Sequence, residues 1–72
     1  MKRAILEALR ARYEAEIAEA DATANIYLQN SVGIGEHPQH IQEVNKQIEK
    51  IANAKEKLGV LDELEPEKGT EL

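Results

Sequence analysis

Between two long runs of helix-favouring residues lies Asn30-Ser31-Val32-Gly33-Ile34-Gly35-Glu36-His37-Pro38, and no other segment constrains the fold of this 72-residue chain as strongly. Gly33 and Gly35 supply the positive-φ conformations that a tight reversal needs, and Pro38 suits the first position of a new helix. The stretch predicts a turn over residues 30–37, joining a helix over about 2–29 to a second over about 38–58. A connection this short brings the second arm back antiparallel to the first. The expected fold class is all-α: an antiparallel two-helix hairpin spanning residues 1–65.

Each arm carries one apolar stripe. In the first it runs through Leu6, Leu9, Tyr13, Ile17, Ala20, Ala24 and Leu28, with Ile5 and Tyr27 beside it. Leu6, Ile17 and Leu28 recur every eleven residues, about 3.67 per turn, which suits a straight helix better than a left-handed supercoil. The stripe narrows to Ala20 and Ala24 near the turn, where the second arm can approach closely. In the second arm Ile41, Val44, Ile48, Ile51 and Leu58 form a heptad seam in which Lys55 holds the one polar position. Lys55 reads either as a register-specifying residue or as a stem lying along the seam with its ammonium in water. Gly59 follows Lys55 and Lys57 and reads as a C-terminal helix stop, with a further turn at Val60, Leu61 and Leu64. Residues 66–72 have nothing to bury and read as a disordered acidic tail.

A hairpin this small buries one stripe per helix, and chains of its size ordinarily need a disulfide, a metal or a partner. The sequence holds no Cys, no Phe and no Trp, and its only aromatic anchors are Tyr13 and Tyr27. Disulfides and thiolate metal sites are therefore excluded. What remains is self-association through the two stripes, giving a homo-oligomeric helical bundle (a four-helix bundle in the simplest case), or docking on another protein.

Charge supports the antiparallel pairing. With the turn centred near Ile34, residue i of the first arm faces roughly residue 69 − i of the second. Glu14, Glu16, Glu19 and Asp21 then lie alongside Lys46, Lys50, Lys55 and Lys57, while Lys2, Arg3 and Arg10 lie alongside Asp62, Glu63 and Glu65. The net charge is −5, and most of the excess sits in residues 59–72. An acidic chain without clustered Lys and Arg is a poor ligand for a phosphate backbone, so nucleic acid is not an expected partner. No apolar run approaches the ~20 residues of a membrane span. Met1-Lys2-Arg3 is followed by Glu7, Arg10 and Arg12, not by a signal-peptide core. A soluble, non-secreted, cytoplasmic protein is expected.

Candidate sites are few. His40 and Glu43, three apart, share a helix face near His37 and Glu36, but a structural zinc wants four ligands and nothing else here has ligand spacing. Polar loop and capping roles account for these residues, and no metal is expected. Gly33-Ile34-Gly35 resembles half a phosphate loop without the strand before it or the Lys-Ser/Thr after it. Ser31 has only His37 nearby as a base, and a short hairpin encloses no pocket in which to shift a pKa. The carboxylates from Glu14 to Asp21 read as a solvated face and not as a glycosidase pair. No catalytic residue and no cofactor site emerge, so an enzyme is not expected. Val32 and Ile34 either tuck over the hairpin end or form a small contact patch.

The loop string from Asn30 to Pro38, followed by Ile41 and the Ile48/Ile51 seam, resembles a family of short proteins encoded by tailed phages of marine bacteria. The resemblance covers most of residues 5–58 and excludes the acidic tail. It implies a phage setting, either host cytoplasm or virion, and carries no assigned activity, cofactor or catalytic residue. Two functions fit: a structural or assembly module that works by protein–protein interaction, and a small acidic regulator that binds a host protein.

Overall fold

A computed structural model describes residues 2–29 and 38–65. It contains two helices, α1 (Lys2–Gln29) and α2 (Pro38–Leu64), packed against each other as an all-α hairpin. The expected turn at Gly33 and Gly35, the tip residues Val32 and Ile34, and the tail 66–72 lie outside the described residues.

α1 matches its expected span. Ala, Leu, Glu and Arg fill it, and these lose little conformational freedom in a helix. α2 runs six residues past the expected end at Leu58, straight through Gly59. The correction has a packing cause. Leu61 is buried against α1 and Glu65 reaches Arg10, so the last turns gain tertiary contacts that outweigh the ~1 kcal/mol cost of a helical glycine. The Glu65 N–H then donates to the Asp62 carbonyl at 3.3 Å in a tightened final turn.

Three cross-helix contacts set the register. Arg10 Nη2 lies 2.7 Å from Asp62 Oδ1, Lys57 Nζ sits 5.3 Å from the centre of the Tyr13 ring, and the Tyr27 and His40 rings meet edge-on at 5.4 Å. Residue i of α1 accordingly lies level with roughly residue 71 − i of α2, half a turn from the expected register.

The seam is narrower than the stripes suggest. On α1 the buried and half-buried positions are Leu6, Arg10, Tyr13, Ile17, Ala20, Ala24 and Tyr27, alternating by four and three, with Leu9 and Thr23 half-buried at the edge. On α2 they are His40, Val44, Gln47, Ile51, Ala54, Leu58 and Leu61, continued by Glu65 just past its end, with the same alternation and with Glu43 half-buried at the edge. Both helices thus keep a 3.5-residue repeat, and the eleven-residue reading of α1 does not hold. Leu28, placed in the stripe by that reading, is 58% exposed, and Tyr27 takes its place.

On α2 the seam is displaced by one residue at every other position. Val44, Ile51 and Leu58 face α1 as expected, but their companions are His40, Gln47, Ala54 and Leu61, not Ile41, Ile48 and Lys55. Ile41 and Ile48 are 76% and 55% exposed, and Lys55 lies in solvent, outside the seam. The reason is steric. Ala54 and Ala20, 1% and 2% exposed, sit in adjacent layers near the middle of the hairpin and let the two backbones draw together. Rotating α2 to bury Ile41 and Ile48 would bring Lys55 into the position that Ala54 now fills. Burying an unpaired ammonium costs more than leaving two isoleucines exposed.

Candidate functional site

His40 packs its ring edge-on against Tyr27, the planes inclined at 79°, as a seam residue. A Glu43 carboxylate oxygen accepts from Lys46 Nζ at 3.4 Å, a bond within α2. His37 and Glu36, the other members of that candidate cluster, lie outside the described residues, as does Ser31. Among the described residues no group of three or more His, Asp or Glu side chains stands close enough to hold a metal ion. Glu14, Glu16, Glu19 and Asp21 are all exposed along α1. They form no ion pair with the α2 lysines among the described residues: Lys46 turns to Glu43, and Lys57 lies over Tyr13.

Of the charge pairing expected at the open end of the hairpin, the described residues show the part made by Arg10. Arg10, in the seam, bonds Asp62 at 2.7 Å and approaches Glu65 Oε1 at 3.8 Å. The hydrogen bond to Asp62, with the field of Asp62, Glu65 and Glu14, holds the guanidinium pKa above its ordinary range. Arg10 is therefore a fixed cation at any working pH. Arg3 pairs with Glu7 one turn away, at 3.5 Å on the exposed surface.

What the fold leaves conspicuous is apolar. Adding one to each seam position Leu6, Tyr13, Ala20 and Tyr27 gives the row Glu7, Glu14, Asp21 and Leu28 on α1; adding one to His40, Gln47, Ala54 and Leu61 gives Ile41, Ile48, Lys55 and Asp62 on α2. In an antiparallel helix pair these two rows border the same side of the seam. Asp62 reaching Arg10 across the seam agrees with that placement. Leu28 lies level with the interval between Ile41 and Ile48, so the three side chains form one aliphatic patch on this flank, toward the turn end. A second patch occupies the other flank at the open end, where Ile5, Val60 and Leu64 are about half exposed next to Leu9.

Of the residues expected to build the core, Leu6, Tyr13, Ile17, Ala20, Ala24, Val44, Ile51 and Leu58 meet within the hairpin, and Leu9 borders it. Leu28, Ile41 and Ile48 are left on the surface together. Sequence reasoning missed Arg10 on α1 and His40, Gln47, Ala54 and Leu61 on α2 as seam residues. The α2 signal is present as the back-steps of four from Val44, Ile51 and Leu58, which land on 40, 47 and 54. It is masked by the greater hydrophobicity of 41 and 48.

No protein-family model, no curated protein and no solved structure matches this chain. No helix among the described residues is long and apolar enough to cross a membrane.

Proposed function

We propose that this chain is a structural interaction module, without enzymatic activity, that works by associating with copies of itself into a helical bundle. One observation carries the reading. Among the described residues the buried apolar core is Leu6, Ala20, Ala24, Ala54 and Leu61, three of them alanines, while Leu28, Ile41 and Ile48 stand more than half exposed in one patch. A sequence that spends its larger aliphatics outside its own core and alanines inside it is built for close helix approach within the chain and apolar contact beyond it.

Shape supports the same reading. The hairpin is a rod of 52 × 17 × 17 Å with a radius of gyration of 16.4 Å. A compact chain of this length would have a radius of about 11 Å. A rod two helices wide has no second layer over its flanks, and a four-helix bundle supplies one.

Sedimentation equilibrium at micromolar concentration tests the proposal. The expected result is a mass at least twice the 8.0 kDa of one chain, dissociating on dilution. A cooperative, fully helical species that remains at one chain mass up to ~1 mM, the weak end of measurable association, would exclude it.

A further inference from the structure

We infer that two copies pair through the flank bearing Leu28, Ile41 and Ile48, with their turns at the same end of the bundle. The inference rests on the self-association proposed above and assigns it a surface and an orientation.

The orientation follows from how this flank is charged. Continuing from the aliphatic patch toward the open end, α1 presents Asp21 and then Glu14, and α2 presents Lys55. Glu14 and Lys55 lie nearly level with each other on the same flank, yet neither makes an ion pair among the described residues. Two copies can join these flanks face to face about a two-fold axis in two ways.

With the axis along the rod, α1 of one copy faces α2 of the other at equal height. Leu28 then enters the interval between Ile41 and Ile48 of the second copy, and Glu14 comes opposite the second copy's Lys55. Asp21 lies between Ile48 and Lys55 of that copy, within reach of the same ammonium. Nearest the open end Glu7 meets the second copy's Asp62, but each already has its own cation: Arg3 at 3.5 Å and Arg10 at 2.7 Å.

With the axis across the rod, α1 faces α1 and α2 faces α2, head to tail. At full overlap Leu28 would lie on Glu7, Ile41 on Asp62, and Asp21 on Glu14 of the other copy. That arrangement desolvates carboxylates against aliphatic side chains and sets acid against acid. The charge pattern therefore selects the first arrangement, in which apolar meets apolar and Glu14 meets Lys55 across the interface.

The test combines surface variants with one distance. Ile41→Glu with Ile48→Glu is expected to raise the dissociation constant by about tenfold or more while leaving the helical circular dichroism intact, because both positions are exposed in the single chain. Ile5→Glu with Leu64→Glu, on the other flank, should leave the constant within about twofold. Glu14→Lys and Lys55→Glu should each weaken pairing, and the double exchange should restore it, a readout that does not depend on the isoleucine variants folding. Since the chain has no cysteine, Gln39→Cys carries a single spin label at an exposed position near the start of α2, where a head-to-tail pair would hold the two labels about 38 Å apart along the rod alone, at ~1.5 Å per residue. Label-to-label distances within about 30 Å, the width of a bundle of ~10 Å helices plus its labels, are expected for turns at one end. A dimer broken by the Ile5/Leu64 pair and untouched by the Ile41/Ile48 pair overturns this surface while leaving self-association standing, and label distances beyond ~40 Å overturn the orientation alone. A wild-type chain that stays monomeric overturns both.

Discussion

Among the described residues Gln47 is the buried polar residue of the seam, 7% exposed in the layer of Ala24, while Arg10 and His40 are half-buried. A buried amide is tolerated where it can still find water or a partner, and it stabilises less than an aliphatic chain of the same size. Gln47→Leu should therefore raise stability by about 1 kcal/mol, measured as a shift in urea midpoint at constant m value. An unchanged or lower midpoint would mean that the amide makes a bond worth keeping. Arg10 is the opposite case, a seam residue whose charge is used. Its pKa is raised above the unfolded value, first by the Asp62 hydrogen bond, so its contribution is complete below the unfolded pKa and lost only as pH climbs through the folded one. No melting transition between pH 5 and 9 should trace to Arg10. Asp62→Asn should lower the melting temperature at low ionic strength and much less in 1 M salt, where the screening length falls to about 3 Å. A salt-independent difference would assign the effect to packing.

At the scale of the helix, Gly59 separates two accounts of where α2 ends. As a C-terminal stop in a left-handed conformation it would resist any side chain. In the structure it is helical, five residues before the end of α2 at Leu64, and a Cβ there would meet nothing within 4 Å. Gly59→Ala is expected to stabilise by about 0.5–1 kcal/mol, because alanine loses less backbone entropy on folding. A destabilised variant in thermal or urea melts would restore the stop. Ala54 argues the other way. At 1% exposure opposite Ile17 it has no room to grow, and Ala54→Leu should cost about 1–3 kcal/mol by forcing the helices apart.

The whole molecule is a rod whose inner surface is closed by small residues and whose flanks are not covered. If folding and pairing are coupled, stability includes the association free energy and rises with concentration. The melting temperature should climb as the chain is concentrated from micromolar to millimolar, and the Ile41→Glu, Ile48→Glu variant should lose that dependence. A melt independent of concentration over this range would place all of the stability within one hairpin. At ~1.5 Å per residue, α1 and α2 are each about 40 Å long once α2 extends to Leu64, so neither arm overhangs the other by much.

The hairpin itself was legible without coordinates, because it depends on local chemistry. Helix formers fill both arms, Gly33, Gly35 and Pro38 interrupt them, and the interval is too short for anything but a reversal. The span of α1, the antiparallel sense and the meeting of Arg10 with Asp62 follow from these alone. The rotation of α2 was not legible. Val44, Ile51 and Leu58 are compatible with a seam completed by 41, 48 and 55 or by 40, 47 and 54, and hydrophobicity favours the first. The choice falls to the second because Ala20 and Ala54 permit close approach, Lys55 escapes burial and Leu61 extends the contact past Gly59. These effects depend on both helices at once. No periodicity read along one helix contains them, and they are why Leu28, Ile41 and Ile48 end up on the surface together.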